Sequence, residues 1–176
     1  MATNKPILLI PLCGNGQRFV DSGIIEYKAL INVNGVNMLN RIFSKFPNSI
    51  SIFLITTQSI KSKVQSNLRK SIYSNNINFI VIKPHKLGPA YSIYKALKYI
   101  PNKNPIYISY CDILWNWEYG FPFNLKDKSQ AVIFAHKGFH PHLIKNSFSA
   151  FCKADQTNLK LLEIKEKGSF TNEWMD

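Results

Sequence analysis

Gly14-Asn15-Gly16-Gln17-Arg18-Phe19 follows directly on an apolar run and is the first stretch of the chain suited to chemistry. Glycines at such a point let backbone N–H groups approach a phosphate, and Arg18 adds a bidentate donor for the same anion. Two familiar phosphate loops do not fit. A dinucleotide fingerprint needs a third glycine where Phe19 stands, and a helix at once, whereas Asp21-Ser22-Gly23 reads as more loop. The Gly-Lys-Ser/Thr ending of a P-loop is absent. A tight structural turn would use the same two glycines, so the loop alone leaves both readings open. Elsewhere, Asp112 closes an apolar run and reads by itself as a turn or helix cap. Trp115, Trp117 and Tyr119 have the faces to stack on a sugar, but aromatics after a strand belong more often to a core. His140 and His142 flank Pro141 at a spacing a metal can use, yet no third ligand accompanies them, and they read as loop histidines.

The elements that must position these residues alternate in type. Residues 6–12 (PILLIPL) form a near-continuous apolar run, as expected of a strand covered on both faces. Similar runs recur at 50–56, 77–82, 106–111 and 131–135. Helical spacing lies between the first four. Met38, Leu39, Ile42, Phe43 and Phe46 share one face, Ile60, Val64, Leu68 and Ile72 a second, and Ala90, Ile93, Tyr94, Leu97 and Ile100 a third before Pro101. Strand alternating with helix predicts an α/β fold with a mostly parallel sheet, and ligands at the carboxyl ends of its strands. Residues 148–154 and 159–165 then follow one another across the turn-rich Asp155-Gln156-Thr157-Asn158, which predicts an antiparallel hairpin.

Composition narrows the function classes. A chain of 176 residues predicts one domain with a core that needs no disulfide or structural metal. No apolar run has the length of a membrane span, and the N-terminus lacks the features of a secretory signal. Cys13, Cys111 and Cys152 are odd in number and have no metal-ligand spacing, so they read as reduced core residues of a cytoplasmic protein. The net charge of +12 rests on nineteen lysines against three arginines, scattered rather than clustered, and no nucleic-acid module signature accompanies it. Such a field favours anionic small molecules over a nucleic-acid or membrane partner.

The wider spacing is more specific. Ten residues after Arg18 comes Lys28, then Ala29-Leu30-Ile31-Asn32-Val33-Asn34-Gly35 and Met38-Leu39. This series resembles the N-terminal signature of the sugar-phosphate nucleotidyltransferases (NTP-transferases): apolar strand, Gly-x-Gly-x-Arg, a Pro-Lys pair and a helix entry. Tyr27 stands where the family has proline, and Gln17 replaces its commoner Ser or Thr. His85-Lys86-Leu87-Gly88-Pro89-Ala90 resembles the family's helix start beside the nucleotide base, and residues 106–112 its strand ending in a magnesium-binding aspartate. Ile164-Lys165-Glu166-Lys167 resembles its Glu-Lys pair.

The resemblance implies a Rossmann-like three-layer sandwich with a mostly parallel mixed sheet, of the nucleotide-diphospho-sugar transferase type. It implies a reaction between a nucleoside triphosphate and a sugar 1-phosphate, or a similar phosphorylated alcohol, that makes a precursor of surface polysaccharide and releases pyrophosphate. Arg18, Lys28 and Asp112 would be catalytic. The nucleotide would lie against Leu12 and Cys13, the loop Gly14-Asn15-Gly16-Gln17-Arg18, and Lys28, Lys83, Gly88 and Asp112. Asp112 would hold Mg²⁺, and Glu166 and Lys167 would grip the sugar phosphate. The family's enzymes are longer and carry a second metal-binding aspartate after the Glu-Lys pair, so the expectation is a domain incomplete at its C-terminus. Two competing readings are a nucleotide- or sugar-phosphate-binding module without catalysis, and a nucleotide-sugar glycosyltransferase. The last calls for Asp-x-Asp, whereas Ile113 and Leu114 follow Asp112.

Overall fold

A computed structural model describes residues 5–14, 16–101, 104–116, 131–135 and 150–166, without the side chains of Gln17 and Arg18. Two compact units divide the chain, Met1–Leu125 and Lys126–Asp176.

The first unit is built on four strands: β1 (Ile7–Pro11), β4 (Ser51–Thr56), β5 (Ile77–Val81) and β6 (Ile106–Ile108). They lie in the order β5-β4-β1-β6, and each described pairing is parallel. The apolar run at β1 follows from this position. Leu8, Ile10 and Leu12 enter one core cluster and Ile7 and Leu9 a second, so both faces of the strand need apolar side chains. Helices α2 (Met38–Phe43) and α3 (Gln58–Leu68) cover the first face with Leu39, Ile42 and Phe43 and with Ile60, Val64 and Leu68. Helix α4 (Gly88–Ala96) covers the second with Ala96, continued by Ile100. Helices on both faces of a parallel sheet make the predicted α/β sandwich.

Local signals set the entries. Asn34 and Gly35 both have positive φ and turn β2 (Asn32–Val33) into β3 (Val36–Asn37). The Asn37 side chain then accepts from the Asn40 amide at 2.9 Å and caps α2.

Three expected patterns are corrected. The face through Ile72 ends early: α3 stops at Leu68, Ile72 is 82% exposed, and Tyr73 is buried instead, edge-on to Phe43 at 5.5 Å. On α4 the buried positions are Ser92 and Ala96, while Ala90, Tyr94 and Leu97 are exposed. Small side chains let the helix lie close to β1 with Ile93 packed beside them, and Tyr94 and Leu97 are left outside. Residues 131–135, expected as a strand, are exposed and lie outside the described strands.

The second unit contains the predicted hairpin, β7 (Ala150–Ala154) antiparallel to β8 (Leu161–Glu166). Asp155 organises its turn by accepting from the Thr157 amide at 2.8 Å, the Asn158 amide at 3.3 Å and the Thr157 hydroxyl. The hydrogen bonds of Thr157, hydroxyl first and amide second, with that of the Asn158 amide, hold the Asp155 carboxyl below its ordinary pKa.

Candidate functional site

The chain passes outward from β1 through β4 to β5, then crosses back to lay β6 on the other side of β1. In open α/β sheets the crevice at such a reversal, outside the carboxyl ends of the strands, is where ligands bind. Here it is flanked by the glycine loop after β1 and by Asp112 after β6.

Lys28 reaches this crevice from a 3-10 turn, Lys28–Leu30, whose Ala29 and Leu30 are buried in the core and anchor it. Its Nζ donates to Asp112 Oδ2 at 3.1 Å, joining residues 84 positions apart. A Cβ on Gly16 would lie 3.9 Å from Lys28 Cγ, so the second loop glycine runs beside the lysine stem. Gly16 has φ +66°, a conformation that favours glycine, whereas a Cβ on Gly14 would meet nothing within 4 Å. The conformational need for glycine is thus at Gly16.

Burial works to neutralise the Lys28 ammonium, but Cys111 and Asp112 outweigh it and its pKa lies above the ordinary lysine value. Burial pushes the Cys111 thiol up, against the pull of Lys28, so the full charge opposite Lys28 in neutral solution is that of Asp112. A lysine whose folded pKa is raised stabilises the fold below its unfolded pKa and loses that contribution as pH rises through the folded value. The Lys28 contribution to stability is therefore expected to stay flat from about pH 7 to about pH 9, below the lysine range near 10.4. Urea unfolding of the parent and Lys28→Ala across that window checks this, and a difference that shrinks through it would show a weaker hold on the proton.

Tyr27 is the residue of this candidate site that sequence reasoning missed. The resemblance marked it as a departure from proline; the structure shows what it does. Its hydroxyl donates to the Leu12 carbonyl at 2.6 Å, tying the residue before Lys28 to the residue after β1. Burial first, then Cys111 and Cys13, raise the phenol's pKa, so the donor keeps its proton. Tyr27→Phe leaves the nearly fully buried Leu12 without that donor and is expected to cost about 1–2 kcal/mol in urea unfolding.

The other expected residues are placed as follows. Cys13 is half-buried rather than core; its Sγ donates to the Ile55 carbonyl at 3.4 Å, and burial raises its pKa against an opposing hydrogen bond from Ser92. Cys152 is also half-buried, leaving Cys111 as the fully buried thiol. Gly88 opens α4 with φ +80°, which gives a conformational reason for glycine there. His85, three residues earlier, bonds Ser92 Oγ through Nε2 at 2.9 Å and accepts the Leu87 amide at Nδ1 at 3.2 Å. Lys83 is exposed after β5 and faces a cavity on the flank of α4. Trp115 packs edge-on against Phe46 at 5.6 Å, which favours its core reading.

Gln17 and Arg18 start α1 (Gln17–Asp21), a single helical turn that takes in Asp21, where loop was expected, and is followed by Gly23 at φ +79°. Their side chains lie outside the description, as do Asn15, Trp117, Tyr119, His140, His142 and Lys167. Glu166 is an exposed residue at the end of β8, in the second unit.

Among the described residues no three His, Cys, Asp or Glu side chains group as a metal site. Asp112 is a hard oxygen donor, and its side chain is 46% exposed. That fits Mg²⁺, which takes one or two carboxylates and completes its shell with substrate phosphates and water. No described helix is long and apolar enough to cross a membrane.

No family model and no curated protein matches the chain. Solved structures do. A crystal structure of a glucose-1-phosphate thymidylyltransferase, so described, from Bacillus anthracis in complex with a sucrose superposes with a TM-score of 0.62 at 17% identity. The match covers 93% of this chain and 65% of that one, so the chain spans less than two thirds of the neighbour's length. The likeness establishes the architecture: a Rossmann-like α/β fold with a mostly parallel sheet.

Proposed function

We propose that the chain binds a nucleoside triphosphate in the crevice between β1 and β6 and transfers its nucleotidyl group to a sugar 1-phosphate. The observation that carries this reading is the Lys28–Asp112 pair beside Gly16, at the carboxyl ends of β1 and β6. A loop of backbone donors, a charged lysine and a carboxylate suited to Mg²⁺ are what a triphosphate requires.

In the reaction, an oxygen of the sugar phosphate attacks the α-phosphorus and pyrophosphate leaves. Such in-line transfer depends on positioning and charge neutralisation more than on covalent help. The Gly16 segment would cradle the phosphates through backbone N–H groups, and Lys28 would neutralise charge that grows on them. Mg²⁺, held by Asp112, would supply further neutralisation when bound. Gly88 would leave the base unobstructed at the start of α4. Arg18, Glu166 and Lys167 enter the proposal through the resemblance alone, Arg18 toward the phosphates and the other two toward the sugar phosphate.

The test is pyrophosphate release across a panel of nucleoside triphosphates and sugar 1-phosphates with Mg²⁺, together with thermal unfolding. At a hundred times its Kd a triphosphate is expected to add about 2.7 kcal/mol of stability. Sugar phosphate alone is expected to add less, because the described charged crevice is on the nucleotide side. Release with one pair of substrates supports the reading; triphosphate binding without release would replace an enzyme by a binding module. Stabilisation by no triphosphate would end both.

A further inference from the structure

Between the end of β5 and the flank of α4 lies a cavity of about 390 Å³, within the range of about 300–1,000 Å³ typical of small-ligand sites. Lys83, His85, Tyr91, Lys95, Lys98 and Tyr99 line it, over apolar backing from the end of β5. Gly16, Lys28, Gly88 and Asp112 do not. Of the described residues the resemblance assigns to the nucleotide, Lys83 alone lines this cavity.

Its charge is one-signed. No carboxylate lines it among the described residues. Two of the three lysines are held by rings instead: Lys95 Nζ lies 5.1 Å from the Tyr91 centroid and 5.7 Å from that of Tyr94, and Lys98 Nζ 4.8 Å from that of Tyr99. A ring orients an ammonium through its quadrupole and leaves the charge uncancelled, unlike the Asp112 carboxylate opposite Lys28. The wall is ordered as well, since both His85 nitrogens are engaged and its ring meets Tyr91 edge-on at 4.7 Å.

We propose that this cavity is a second anion site, separate from the crevice between β1 and β6, which takes a small molecule bearing two or more linked phosphates. Three ammonium groups facing one cavity repel each other, and an anion of matching charge relieves the repulsion. Lysine is a point-charge phosphate binder. A single phosphomonoester carries about −1.5 to −2 charges near neutrality, short of three lysines, so a diphosphate or longer chain is the better match.

Inorganic pyrophosphate and adenosine diphosphate are the probes, titrated separately into ¹⁵N-labelled protein at physiological salt. The parent, a Lys95→Glu/Lys98→Glu double variant and Lys28→Ala are compared. Lys95 and Lys98 are exposed, so charge reversal is expected to leave the fold intact, with circular dichroism as the check. In the parent, amides of residues 91–99 are expected to shift with pyrophosphate. The double variant should lose that response or bind at least about tenfold more weakly. Lys28→Ala should retain it. A response to adenosine diphosphate at matching affinity would mean that the site accepts the phosphate chain of a nucleotide; a response to pyrophosphate alone would restrict it to the free anion. Silent resonances at 91–99, or an unaltered response after charge reversal, would overturn the proposal. A response at 91–99 with none around Gly16 and Lys28 would sustain this site and leave the proposed function to the triphosphate panel.

Discussion

Asp112→Asn is expected to lower turnover at least about a hundredfold, equivalent to about 2.7 kcal/mol of transition-state stabilisation. The asparagine keeps the shape and one oxygen but removes the charge that would hold Mg²⁺ and that pairs with Lys28 in the free protein. The fold should be almost untouched. The Asp112 side chain is 46% exposed, and an ion pair at such a position contributes at most about 1 kcal/mol after screening. Triphosphate binding should lose its dependence on Mg²⁺ in the variant, measured by calorimetry with and without the metal. Equal magnesium dependence in variant and parent would remove Asp112 from the metal's shell.

Lys28→Ala is expected to reduce turnover at least about tenfold, or ~1.4 kcal/mol, with a smaller effect on KM. The ammonium is needed most when charge builds on the phosphates, so its loss should appear in kcat. Its Ala29 and Leu30 neighbours carry the packing of the turn, which the substitution leaves in place. In the free protein Lys28 also occupies the carboxylate that Mg²⁺ would take. A double-mutant cycle over Lys28 and Asp112 should therefore be non-additive in turnover, as for groups acting on one phosphate chain. Full turnover in Lys28→Ala would remove the lysine from the site.

The motifs carried by short sequence distance were legible. The strand runs at β1, β4 and β5, the α3 periodicity up to Leu68 and the β7–β8 hairpin follow from side-chain period and turn chemistry. Where sequence and structure part, the cause lies in the neighbour. Ile72 has the spacing of the α3 face, but the helix ends before it and Tyr73 fills the place against Phe43. Tyr94 and Leu97 have the spacing of a buried face, but α4 approaches the sheet through Ser92 and Ala96. Residues 131–135 have strand composition but lie exposed, outside the described strands.

The candidate site divides in the same way. The sequence by itself determined which residue types were available: two glycines after a covered strand, a lysine ten residues past Arg18 and an aspartate closing the fourth strand. Only the tertiary structure decided that Lys28 and Asp112 meet, because the strand order puts β6 beside β1 and so joins positions 84 residues apart. Only it showed that Tyr27 fastens the lysine's turn to Leu12, and that Lys83 faces Lys95 and Lys98 on another flank. The physical reason is range. Backbone conformation and amphipathic period are local and can be read along the chain, whereas ion pairs, buried hydrogen bonds and cavities depend on which elements the sheet brings together.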